Sequence, residues 1–117
     1  MIGLRDVTVE GGIVTAYSDW TQERTTGGGV LHGGFLMALA DSVGAICAGQ
    51  HIPPGHGTTT IESKTNFLRP VRSGEVKLTA EAIHAGRTTV VVQTDIVRED
   101  GKLASRTTQT QAVLTPR

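Results

Sequence analysis

LHGGFLMALADSVGAICAGQ, residues 31 to 50, is an almost unbroken apolar run that opens on His32-Gly33-Gly34. Between Gly33 and Gly49 only Asp41 and Ser42 carry polar side chains, and proline is absent. Ala, Leu and Met favour helix, and a helix apolar on nearly all sides is one that protein encloses. The run is too short and too small-residued for a membrane span. It therefore predicts one helix buried in a domain, with a carboxylate near its middle. Taking an ionised Asp out of water costs on the order of several kcal/mol unless it is paired or hydrogen-bonded. On the helical face of Asp41 lie Gly34, Met37, Ala38, Gly44, Ala45 and Ala48. Apart from Met37 these are Gly or Ala, so the face admits a close neighbour, either another backbone or a ligand.

Outside the helix the pattern is that of strands. Residues 4 to 9 and 13 to 20 read as two strands about a Gly11-Gly12 turn, with Trp20 placed to cap the core. Residues 21 to 29 and 50 to 57 read as loops, the second holding Pro53-Pro54-Gly55. Four more strands follow at 58 to 68, 75 to 85, 87 to 98 and 103 to 114, with Ser73-Gly74, Gly86 and Asp100-Gly101 marking the turns. Short turns impose mostly antiparallel pairing. One helix covers such a sheet only if the sheet curls around it. The expected class is α+β: a curved antiparallel sheet wrapped around one long central helix, in a single domain spanning 1 to 117 with no internal repeat.

The 117 residues carry 11 basic and 11 acidic side chains, a net charge of zero that argues against nucleic acid or an anionic membrane as principal partner. Arg5 and Asp6 stand close behind Met1, so no secretory leader is expected. A lone Cys47 cannot form an internal disulfide and fits a reducing, cytoplasmic setting. Aromatic residues make up only 3%, which leaves a small core of Val, Ile, Leu and Ala and favours further burial through self-association.

The HGGFLMALAD segment, NFLRP at residues 66 to 70 and GRTTVVV at 86 to 92, in this order of elements, resemble the hotdog-fold acyl-CoA thioesterases. The closest resemblance is to the phenylacetate-pathway (PaaI-like) branch, over about residues 27 to 114. It implies an enzyme that hydrolyses an acyl-CoA thioester, with an aryl-acetyl, hydroxybenzoyl or short-to-medium acyl group, and that needs no cofactor. It also implies the site. The helix-borne catalytic acid falls on Asp41, and the glycine whose N–H meets the thioester oxygen falls on Gly33. A catalytic or water-positioning hydroxyl falls on Thr60, with Thr59 one register away. The family's common asparagine, six residues before the histidine, is Thr26 here, which leaves its role unfilled or moves it to His32 or Thr60.

Elementary chemistry supports this site. A thioester carbonyl attacked by water becomes an oxyanion, and preorganised N–H donors there contribute on the order of 3 kcal/mol each. A helix N-terminus supplies unpaired N–H groups. Asp41 can serve as base or as nucleophile. Gly33 and Asp41, eight residues apart, stand about 12 Å apart along one helix axis. Two antiparallel copies of the helix would bring Asp41 of one opposite Gly33 of the other, so a two-fold homodimer with two composite sites is expected. The resemblance adds a dimer of dimers. Arg69, Arg72 and Arg87 are candidates for the phosphates of coenzyme A, or solvated surface charges. Cys47 reads as a core residue, His84 as exposed, and His51 and His56 as poor metal ligands. Two other readings are open to these residues: a non-catalytic acyl-CoA or small-ligand binder, suggested by Thr26, and a hydratase or dehydratase, which needs a paired His and acid.

Overall fold

The computed structural model describes residues 2 to 116. Strands β1 (Arg5–Glu10) and β2 (Ile13–Asp19) form a hairpin, followed by a 3-10 turn at Gln22–Arg24 and the helix α1 (Gly33–Gly49). Strands β3 (Gly57–Phe67), β4 (Glu75–Ala85), β5 (Thr89–Arg98) and β6 (Leu103–Leu114) complete the chain. They make one six-stranded sheet in the order β1-β2-β4-β5-β6-β3, antiparallel at every pairing. This is the expected curved sheet about a single long helix.

The elements begin and end where the local chemistry requires. Gly11 and Gly12 both take positive φ (59° and 81°) in the two-residue β1–β2 turn, the twist that a hairpin of right-handed strands demands. Fifth-strand pairing starts at Thr89 rather than at residue 87, because Gly86 N–H bonds to Thr89 O at 2.8 Å and closes a tight turn first.

The core is one-sided. Val14 and Ala16 on β2, Val76, Leu78 and Ala80 on β4, and Val90, Val92 and Ile96 on β5 pack against Leu36, Leu39, Val43 and Cys47 of α1. The buried positions of β6 are mostly polar: Ser105, Thr107, Gln109 and Gln111 are each at most 1% exposed. Strand β3, at the sheet edge, is exposed along most of its length.

One expectation changes. The sheet covers only one face of α1, that of Leu36, Leu39, Ala40, Val43, Gly44, Cys47 and Ala48. Gly34, Met37, Ala38 and Asp41 are exposed, so the helix is not enclosed by its own chain and Asp41 is not buried in it. The open face is built of small apolar residues, which look in sequence like the inward ones.

Candidate active site

The loop before α1 is held at several points. Trp20 Nε1 donates to Gly29 O at 2.9 Å, Leu31 N–H to Val71 O at 2.9 Å, and His32 N–H to Arg24 O at 2.8 Å. His32 thereby becomes the helix N-cap: its Nδ1 accepts from Gly34 N–H at 3.1 Å, a bond of the kind that stabilises a helix start by about 1 kcal/mol. That acceptor role puts the ring proton on Nε2. Phe35 and Leu36 N–H both bond to His32 O, at 3.0 and 3.1 Å. Of the four N–H groups that a helix start leaves orphaned, only that of Gly33 then has no acceptor among the described residues.

Gly33 opens on a cavity of about 390 Å³, whose walls include Val30, Leu36, Phe67, Leu68 and Arg69. A Cβ on Gly33 would lie 3.1 Å from Phe67 Cζ, so the bare glycine lets the ring approach the helix start. Thr26 also lines the cavity, and its hydroxyl accepts from Gly28 N–H at 3.4 Å.

Asp41 lies two turns along α1 and is not part of this cavity wall. Its Oδ1 accepts from Thr60 Oγ1 at 2.8 Å and from Gln109 Nε2 at 3.1 Å. Gln111 Nε2 in turn donates to Thr60 Oγ1 at 2.6 Å. No donor among the described residues reaches Asp41 Oδ2. Thr60, not Thr59, is therefore the strand hydroxyl at the acid. Its proton is committed to Asp41 and a lone pair to Gln111.

Gln109 and Gln111 were not singled out in the sequence. Gln109 reaches Asp41 only because residue 44 is glycine: a Cβ there would sit 1.9 Å from Gln109 Oε1. A carboxylate only accepts, so the amide must turn its nitrogen to Asp41. Its oxygen is left buried with no donor, a deficit worth about 1–3 kcal/mol. The signal in the sequence is the period of β6, which puts residues 105, 107, 109 and 111 together on one polar face.

The three arginines do not gather. Arg69 stands at the cavity beside the start of β6, where its Nη1 donates to Leu103 O at 3.0 Å, and Arg72 Nη1 reaches Gly28 O at 3.5 Å. Arg87 sits in the β4–β5 turn, beside the other end of β6, where Thr89 pairs with Ala112. About nine residues of strand, roughly 30 Å, separate the two ends. Cys47 is fully buried, and burial pushes its thiol pKa up, which suits a core residue rather than a nucleophile. Among the described residues no three His, Cys, Asp or Glu side chains gather as a metal site requires, and no helix is long and apolar enough to cross a membrane.

A helix start with one open N–H, a carboxylate on the same helix and an all-antiparallel sheet around it define a class. The family model described as the thioesterase superfamily matches residues 28–105. The 1,4-dihydroxy-2-naphthoyl-CoA hydrolase of Listeria monocytogenes is 35% identical over 102 residues, 87% of this chain and 83% of that protein. A curated relative from Haemophilus influenzae is 38% identical over 86 residues, and the match spans 74% of this chain but only 62% of that protein. The crystal structure of a Haemophilus influenzae thioesterase superposes with a TM-score of 0.92 at 31% identity, covering 97% of this chain and 80% of that one. A mutant thioesterase from Pseudomonas aeruginosa gives 0.91 at 32% identity, covering 97% and 82%. The chain belongs to the thioesterase superfamily and has its hotdog fold.

Proposed function

We propose that the protein hydrolyses an acyl-CoA thioester to the free acid and coenzyme A, at sites formed jointly by two copies of the chain. The observation that carries this is the division of labour along α1: among the described residues, an unpartnered Gly33 N–H opens on a cavity, while an acid with one uncommitted oxygen lies two turns away on an exposed face. Neither alone completes a hydrolytic site. Antiparallel pairing of two α1 helices puts Gly33 of one copy opposite Asp41 of the other. In that arrangement the thioester oxygen lies at the Gly33 N–H, which holds the developing oxyanion. Asp41 Oδ2 of the second copy either takes a proton from the attacking water or attacks the carbonyl itself. The C–S bond breaks and the thiolate of coenzyme A leaves and takes up a proton; the acyl group departs as the acid at once where water attacked, or after water hydrolyses the anhydride where Asp41 attacked. His32 retains an Nε2–H as a second donor at the helix start. Its Nδ1 is engaged with Gly34 and the partners of Asp41 are Thr60 and Gln109, so no His–acid pair of the hydratase kind forms within a chain.

The apolar wall beside Gly33 suits the pantetheine arm, with the Arg69 guanidinium toward the phosphates. The acyl arm then runs along the open face of α1. An aryl acyl group is favoured, since it is the substrate class named for the Listeria relative and shared with the phenylacetate-pathway branch. Release of free thiol from phenylacetyl-, hydroxybenzoyl-, dihydroxynaphthoyl- and octanoyl-CoA tests the activity. The aryl substrates should turn over fastest, and no release from any of the four would overturn the reading.

The pairing has a fixed register. If residue 33 meets residue 41, the two-fold axis passes the helices at residue 37, so Met37 packs against its own copy. Met37 is 38% exposed in the single chain. Met37→Lys would set two ammonium groups against each other at the axis. Sedimentation should then show monomers at micromolar concentration, with hydrolysis lost and the circular dichroism spectrum unchanged.

A further inference from the structure

We infer that Gln109 and Gln111 of β6 are positioning residues for Asp41, which fix its Oδ1 so that Oδ2 alone is the reacting oxygen. The inference rests on the proposed hydrolytic role of Asp41. Three observations carry it. First, both amides converge on one oxygen: Gln109 directly at 3.1 Å, and Gln111 through Thr60 at 2.6 and 2.8 Å. A carboxylate held at one oxygen from two directions cannot rotate to exchange its oxygens without losing both bonds. Second, both glutamines are at most 1% exposed, whereas Asp41 itself is exposed, so the enclosed part of the cluster lies beneath the part that faces out. Third, Gln109 leaves its own Oε1 buried without a donor and requires a bare glycine at 44. An apolar side chain at 109 would fill the same space with no orphaned atom. A buried polar group kept at such a cost points to a functional rather than a packing role.

The geometry also orders Thr60. Its hydroxyl donates to Asp41 and accepts from Gln111, so its proton is directed away from substrate. Thr60 transmits the hold of Gln111 rather than activating water.

Gln109→Met and Gln111→Met keep side-chain length and remove the donors. Gln109→Met should lower kcat by about ten- to a hundredfold, the scale of one hydrogen bond to a charged group, and Gln111→Met, whose bond is to the neutral Thr60 hydroxyl, by about two- to tenfold, with KM unchanged within about threefold. The melting temperature of Gln109→Met should not fall, because the orphaned oxygen goes with the amide. Thr60→Ser should keep near-normal kcat. In a Thr60→Val background, Gln111→Met should cost nothing further, because its path to Asp41 is already cut. Undiminished kcat in both glutamine variants, with Asp41→Asn inactive, overturns the positioning role and leaves the proposed activity standing. So does a kcat loss that tracks a falling melting temperature and adds to that of Thr60→Val. Full activity in Asp41→Asn overturns the hydrolytic role of Asp41 and this inference with it.

Discussion

Asp41→Asn is expected to lower kcat for thioester hydrolysis by about a hundred- to ten-thousandfold, the range associated with a positioned base, while the fold stays intact. The variant amide can keep its oxygen where Oδ1 now accepts from Thr60 and Gln109. Its NH2 group then occupies the place of Oδ2, where it can neither attack a carbonyl nor take a proton from water. KM should change little, because binding draws on the helix start and the cavity rather than on this side chain. Thiol release under saturating substrate measures the effect, and a variant with unchanged kcat would remove Asp41 from the chemistry.

The second large effect is expected at the other end of the helix. Gly33 is the first residue of α1, a position where proline is well tolerated because the N–H it lacks has no helical partner. His32, before it, has ψ of 134°, the extended conformation that a residue preceding proline requires. Gly33→Pro should thus remove the donor and keep the helix start, with the ring Cδ taking the place of the amide hydrogen that faces the thioester oxygen and the Phe67 ring shifting by a few tenths of an ångström. The loss of an oxyanion donor should reduce kcat by about a hundred- to a thousandfold. The two inactive variants also test the shared site against each other. Mixed in equal amounts and allowed to exchange, they should regain about a quarter of wild-type activity, since half the dimers are then mixed and each mixed dimer carries one intact site. Absence of recovery after proven exchange would mean that Gly33 and Asp41 serve the same site within one chain.

The parts of this structure that could be read from sequence are those where one residue type has one plausible environment. The long, proline-free and almost wholly apolar run behind His-Gly-Gly reads as a helix, and α1 begins and ends at the glycines that bound the run. Gly11-Gly12, Ser73-Gly74 and Asp100-Gly101 located turns because positive φ leaves few alternatives. The exposure of Asp41 was not legible, because Ala and Gly pack equally well against a sheet or against a second copy. The glutamines of β6 were hidden for a related reason. Alternation shows that residues share a face but not which face looks inward, and Thr108 and Thr110 make the outer face of β6 polar as well. The wide separation of Arg87 from Arg69 and Arg72 needed the strand pairing, since all three follow strand-like stretches of similar composition.

The one-sided core has a mechanical consequence. Oil glues α1 to β2, β4 and β5, and there the domain is a dense solid. Toward β6 and the bare edge of β3, the cement is hydroxyls and amides, whose grip depends on direction and loosens whenever water competes. The stiff flank serves as an anvil and the wet flank as the tool set on it. A chain left alone is expected to breathe first along the seam that carries Asp41, and in the proposed dimer the second copy would close over that seam.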